Sequence, residues 1–128
     1  MKGLLLVAHG SRRAESNDEV RQLAHQLEAS AGEKFDLVAS AFLELADPSI
    51  PDGLRAMIRA GVGEVTVLPY FLSAGRHVVT DIPGEVNIVR AESPEVEITL
   101  APYLGASPEV VDILLGLSSG PGKPADSS

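Results

Sequence analysis

The chain opens on an unbroken apolar run, Gly3-Leu4-Leu5-Leu6-Val7-Ala8. A strand exposed on one face alternates polar with apolar, so a run without alternation predicts a strand covered on both faces. The period then changes: Val20, Leu23, Ala24, Leu27 and Ala31 recur at helical spacing. Ser16 with Glu19 three residues on reads as a capping box for this helix, and Gly32 as its stop. Residues 36–42 predict a second strand. Ser49 begins a helix containing Pro51, Leu54, Met57 and Ile58, ended by Gly61. A third strand fits residues 64–69. Val78, Ile82, Val86 and Val89 are again spaced as a helix, interrupted by Pro83. Asp81 as N-cap with Pro83 in the first turn reconciles the two, leaving 77–80 as a separate turn. A fourth strand fits 97–101, and Ser107 and Pro108 cap and start a last helix through Leu117.

Strands that alternate with helices imply a parallel sheet joined by right-handed crossovers. The expected fold class is α/β, a three-layer sandwich with a four-stranded parallel sheet and helices on both faces. At 128 residues the chain fits one domain, placed at residues 1–117. Residues 118–128 comprise only Ser, Gly, Pro, Lys, Ala and Asp. Such a segment has too little apolar surface to order itself, and a disordered tail is expected. Four strands make a small sheet, which stands alone or is completed by a partner.

Composition narrows the chemistry. The net charge of −8 argues against nucleic acid, whose phosphates call for a basic surface, and against an anionic membrane. No segment approaches the length of a membrane span, and the first apolar run is too short for a signal-peptide core. A cytoplasmic protein is the expectation. With no cysteine, any metal would rest on nitrogen and oxygen donors. Glycine-rich nucleotide fingerprints and the G-x-S-x-G elbow do not occur in the chain.

Of the three histidines, two sit at strand ends. His9 closes the first run, in His9-Gly10-Ser11-Arg12-Arg13, and His77 follows the third in Tyr70-Phe71-Leu72-Ser73-Ala74-Gly75-Arg76-His77. In open parallel sheets this edge binds ligands. Neutral imidazole suits Co2+, Ni2+ or Fe2+. Gly10 permits a sharp turn, and Ser11 and Arg12 can donate to an anion. The same residues also fit a plain polar exit from a strand. Glu44, between apolar neighbours after the second strand, reads as a third metal ligand or proton acceptor, or as a surface glutamate. Asp81, four residues beyond His77, reads as a helix cap in preference to a carboxylate orienting that ring. Tyr70, Phe71 and Leu72, with Tyr103 and Leu104, line an apolar slot or fill core. His25 lies within the first helix and reads as structural.

Together, Val7-Ala8-His9-Gly10-Ser11-Arg12, Ala41-Phe42-Leu43-Glu44-Leu45 with Pro48-Ser49, and Pro69 through Val78 with Asp81-Ile82-Pro83 resemble the short, single-domain sirohydrochlorin chelatases. These are the cobaltochelatases and ferrochelatases of the class II chelatases. The resemblance spans Met1 to about Leu117. It implies insertion of a divalent metal, Co2+ or Fe2+ with Ni2+ a further candidate, into sirohydrochlorin without ATP, on the way to cobalamin or sirohaem. It implies no organic cofactor, the metal being substrate. His9 and His77 then bind the metal and assist deprotonation, with Glu44 as further ligand or proton relay. Ser11, Arg12, Arg13, Tyr70, Phe71, Leu72, Gly75 and Arg76 become candidate contacts to the tetrapyrrole. The short forms assemble as homodimers, so a homodimer is expected. A histidine phosphatase is a poor fit, because Ala8 stands where that chemistry places an arginine. A non-catalytic metal or tetrapyrrole carrier using the same histidines is the alternative.

Overall fold

A computed structural model of the chain describes residues 1–122. Its elements run β1 (Lys2–Ala8), α1 (Ala14–Ala31), β2 (Leu37–Phe42), α2 (Ile50–Arg59), β3 (Glu64–Pro69), α3 (Ile82–Glu92), β4 (Glu97–Leu100) and α4 (Glu109–Ser119). All four strands pair parallel in the order β2-β1-β3-β4. β1 is therefore a central strand, with Val7 opposite Ala41 on one side and Pro69 on the other.

That position explains its unbroken apolar run, for every residue from Gly3 to Ala8 is buried. Side chains alternate across a strand, and the two sets serve two cores. Leu5 and Val7 join Leu54 and Met57 of α2 and Val86 and Val89 of α3. Leu4 and Leu6 face the other way, onto Ala24 of α1 and Val38 of β2. Burying a Leu or Val side chain stabilises a fold by roughly 1.5–3 kcal/mol, so β1 anchors both layers. Across the outer surface, Arg55 of α2 holds both carboxylate oxygens of Glu92 of α3, at 2.9 and 2.6 Å.

Three starts and stops differ from the sequence pattern. Helix α1 begins at Ala14 with Arg13 as N-cap, so Ser16 lies inside the helix and no capping box forms. The entry is held instead by Asn17, a buried polar residue. Its Oδ1 accepts from the Ser11 backbone N–H at 2.9 Å and its Nδ2 donates to the Ser11 carbonyl at 2.8 Å. A side chain that satisfies both backbone groups of the preceding loop outcompetes a cap later in the sequence.

The segment before α3 is not a separate turn either. His77–Asp81 forms a single π-helical turn running straight into α3, with the Ile82 N–H donating to the His77 carbonyl. Asp81 has helical backbone angles and makes no side-chain capping bond, so its expected role as N-cap is replaced. Pro83, at the start of α3, donates no N–H back to the preceding turn, and it follows directly on the wide π turn.

The last helix runs two residues past Leu117, to Ser119, and buries none of its residues. Residues 123–128, which hold most of the expected tail, lie outside the described residues. Among those described, no helix is long and apolar enough to cross a membrane.

Candidate functional site

The strand order creates a switch point. From β1 the chain crosses to β2 on one side, and from β3 to β4 on the other, so the loops leaving β1 and β3 part above two adjacent strands. Ligands of open parallel sheets bind in such a crevice, at the carboxyl ends of the strands. His9 and His77 leave these two strands. Their ring centroids lie 4.6 Å apart with the planes inclined by 51°.

Glu44 reaches the same place from β2. Beyond the last paired residues, Leu43 N–H donates to the Ala8 carbonyl at 3.0 Å and Glu44 N–H to the His9 carbonyl at 3.1 Å. The parallel ladder is thus extended until Glu44 and His9 lie side by side. Gly10 makes the approach possible. It has φ +96°, and a Cβ there would stand 1.7 Å from the Glu44 carbonyl oxygen. Leu45 then takes φ +66°, the left-handed region that leucine rarely adopts, and turns the chain away. The Glu44 side chain is 57% exposed, so it is not the buried charge its apolar neighbours suggest. Its Oε1 stands 3.6 Å from His9 Nε2.

Hydrogen bonds settle the tautomers of both rings. His9 Nδ1 is 3.2 Å from the Gly10 carbonyl. A carbonyl only accepts, so Nδ1 carries the hydrogen in that bond, and in the neutral ring Nε2 keeps its lone pair. His77 Nδ1 is 2.8 Å from Asp81 Oδ2, and a carboxylate oxygen makes the same demand. With both rings neutral, two Nε2 lone pairs and the Glu44 carboxylate are offered near one another. Two electron-rich groups so placed favour a cation between them, whether a proton or a metal ion. Among the described residues, no three His, Asp or Glu side chains stand close enough together to hold an ion as they are placed. The arrangement is a histidine pair with a carboxylate beside it. A hollow of about 450 Å³, lined by Leu43, Glu44, His77, Thr80, Asp81, Gly84 and Glu85, opens there.

The remaining predicted residues divide. Tyr70, Phe71 and Leu72 form, with Leu104, an apolar hollow of about 270 Å³; Tyr70 and Leu72 are exposed. Arg12, Arg13 and Arg76 are exposed on the loops that carry the histidines, and Arg13 has a loose ion pair with Glu15 at 3.7 Å. Ser11 is tied into the loop, with its hydroxyl hydrogen remaining available as a donor. Its N–H is taken by Asn17 and its hydroxyl oxygen accepts from Arg13 N–H at 3.0 Å, so it shapes the loop. The Gly75 carbonyl accepts from Val78 and Val79 N–H, each at 3.1 Å, and starts the π turn. His25 is exposed on α1 and belongs to neither core. Sequence reasoning passed over Asn17. Its signal was a short amide in the first turn of a helix after a ligand-type loop.

Known proteins carry the same frame. Sirohydrochlorin cobaltochelatase of Methanococcus maripaludis is 30% identical over 94% of this chain and 99% of its own. The chloroplastic sirohydrochlorin ferrochelatase of Arabidopsis thaliana is 33% identical over 88% of this chain but 49% of its own. Among solved structures, the CbiX protein of Marinobacter aquaeolei, described as a cobalamin biosynthesis protein, superposes with a TM-score of 0.75 at 30% identity, covering 92% of this chain and 94% of that one. The sirohydrochlorin chelatase SirB of Bacillus subtilis, solved in complex with cobalt, gives 0.81 at 27% identity, over 89% of this chain and 48% of SirB. The chain thus spans nearly the whole of its short relatives and about half of the long ones. The CbiX family model matches residues 3–118, which include the histidine pair and all of the sheet but its first residue, Lys2: the chain belongs to the CbiX family.

Proposed function

We propose that this chain is a sirohydrochlorin chelatase, a lyase that inserts Co2+ or Fe2+ into sirohydrochlorin without ATP in cobalamin or sirohaem synthesis. The observation that carries this reading is the pair of imidazoles at the switch point, 4.6 Å apart, each with Nδ1 hydrogen-bonded and Nε2 free.

The reaction releases two pyrrole N–H protons for each divalent ion taken in. The two Nε2 atoms hold the ion at the crevice and replace part of its water. As the ion passes to the macrocycle, the same lone pairs are freed to take up the departing protons. Glu44, 3.6 Å from His9 Nε2 and open to solvent, passes one on to water, and would become a third ligand only by a change of its side-chain rotamer, since as placed it completes no three-residue group. The hollow of Tyr70, Phe71, Leu72 and Leu104 offers an apolar bed for the flat ring. Arg12, Arg13 and Arg76 stand where the carboxylates on its rim can pair with guanidinium groups.

The working unit in this reading is a cytoplasmic homodimer. Helix α4 buries none of its residues, and Val111, Ile113, Leu114, Leu115 and Leu117 are each more than half exposed. An exposed apolar patch of this kind marks an association surface. A second copy is the occupant that fits, because long relatives such as SirB have about twice the length this chain covers. The second copy would supply the second half.

The test is an anaerobic absorbance time course with sirohydrochlorin and Co2+, Fe2+ or Ni2+. The expected result is metallation faster than the uncatalysed reaction, lost in His77→Ala while the protein stays folded. Stoichiometric binding without acceleration would make the protein a carrier, and wild-type rates in His77→Ala would remove the histidine pair from the mechanism.

A further inference from the structure

The Asp81 carboxylate is unused by the fold. It sits at the junction of the π turn and α3, where an aspartate ordinarily caps the helix, yet it makes no capping bond. The π turn instead carries the backbone through this point without a break, so the first N–H groups of α3 do not depend on Asp81. Its partner is His77, at 2.8 Å. The contact is a short one between a side chain 46% exposed and one 37% exposed. Isolated π turns inside helices occur mostly at functional sites. Here the wide turn keeps residues 77 and 81 on one side of the chain.

We infer that Asp81 is a positioning residue for the metal-transfer site: by accepting the Nδ1–H of His77, it holds that ring with its Nε2 lone pair directed to the incoming ion. This rests on the chelatase reading for its purpose, but the tautomer is a property of the protein alone. A free imidazole distributes its hydrogen over both nitrogens and rotates about χ2. A ring carrying the hydrogen on Nε2 could not ligate through that atom. The two histidines are treated unequally: His9 is oriented by the backbone carbonyl of Gly10 at 3.2 Å, which no side-chain substitution removes, whereas His77 depends on one side chain. Partners of this kind typically change metal affinity by about 10–100-fold when removed.

The test uses the full chain. Long-range 1H–15N spectra of the imidazoles, recorded without metal at a pH where His77 is neutral, report which nitrogen carries the hydrogen. Wild type is expected to hold it on Nδ1; Asp81→Ala is expected to move His77 towards a mixture while His9 is unchanged. Titration with Co2+ alone, followed by its visible absorption, should show affinity falling about 10–100-fold in Asp81→Ala. Asp81→Asn, whose amide oxygen still accepts from Nδ1–H, should recover a large part of it. Melting temperatures of the two variants should agree within a few degrees. A wild-type His77 with its hydrogen on Nε2, or an unchanged tautomer and Co2+ affinity in Asp81→Ala, overturns the inference. Equal loss of fold in both variants also overturns it, since a structural carboxylate behaves so. If the tautomer and affinity shift as expected but no tetrapyrrole is metallated, the chelatase reading fails and the role of Asp81 stands.

Discussion

Gly10→Ala is the most direct test of how the sheet edge builds the site. A Cβ at position 10 would lie 1.7 Å from the Glu44 carbonyl oxygen and 2.9 Å from its carbon. These are backbone atoms, so no rotamer relieves the overlap. The residue would also keep φ +96°, where an L side chain costs about 1–2 kcal/mol. To make room, the Glu44 peptide must withdraw by an ångström or more, breaking its N–H bond to the His9 carbonyl, 3.1 Å long. A bond of that kind contributes about 0.5–1.5 kcal/mol. Together the loss comes to about 1.5–3.5 kcal/mol, a large part of the roughly 5–15 kcal/mol expected for a domain. A fall in Tm on the order of 10 °C follows. Urea unfolding followed by circular dichroism measures the stability, and the anaerobic metallation assay at a temperature where the variant is folded measures the site. Withdrawal also carries the Glu44 carboxylate away from His9, so activity should drop in the folded fraction. A Gly10→Ala protein that melts within two degrees of wild type and metallates at the wild-type rate would refute the close-approach argument.

Leu5→Ala removes a fully buried side chain from between β1 and the α2–α3 layer and should cost about 2–5 kcal/mol in denaturant titration. Asn17→Ala strands both backbone groups of Ser11; a loss of about 1–3 kcal/mol is expected, with a larger effect on tetrapyrrole KM than an exposed α1 substitution such as His25→Ala produces. Arg55 holds the Glu92 carboxyl below its ordinary value near 4.5. The ion pair is therefore present above about pH 4.5 and is lost as pH falls through the lowered folded value. In paired urea titrations the gap between wild type and Glu92→Gln should close on acidification below that pH, and a gap that widens would contradict the pairing. Leu114→Asp with Leu117→Asp, on the unburied face of α4, should give a monomer by light scattering while far-ultraviolet dichroism is retained.

Much of the frame was legible because it is written in local pattern. The Gly3–Ala8 run is apolar at every position since β1 is covered on both faces and flanked on both edges, and that requirement shows in the residues themselves. The start of α2 at Ser49 could be read for the same reason, and there the Ser49 Oγ accepts from Asp52 N–H three residues on, at 3.2 Å. The failures were of another kind. Ser16 and Glu19 form a capping pattern, but the chain enters α1 earlier because Asn17 ties down a loop. Asp81 has a cap's spacing and spends its carboxylate on His77. In both places a hydrogen bond to a side chain or loop outside the helix start competed with the local one, and a linear pattern does not rank the two.

The position of each histidine, nine residues from the start and eight beyond the third strand's last residue, was set by the sequence alone, as were the nitrogen and oxygen character of the donors and the alternating elements that demand a parallel sheet. What the tertiary structure decided was adjacency. Nothing in the spacing states that β1 and β3 are neighbours with β2 and β4 outside them. That order arises because the longest fully apolar strand gains most from burial on both faces and takes a central place. It brings two residues far apart in the chain to a ring separation of 4.6 Å. The lone pairs they offer were decided last, by the Gly10 carbonyl and the Asp81 carboxylate, because a tautomer depends on which acceptor lies within reach.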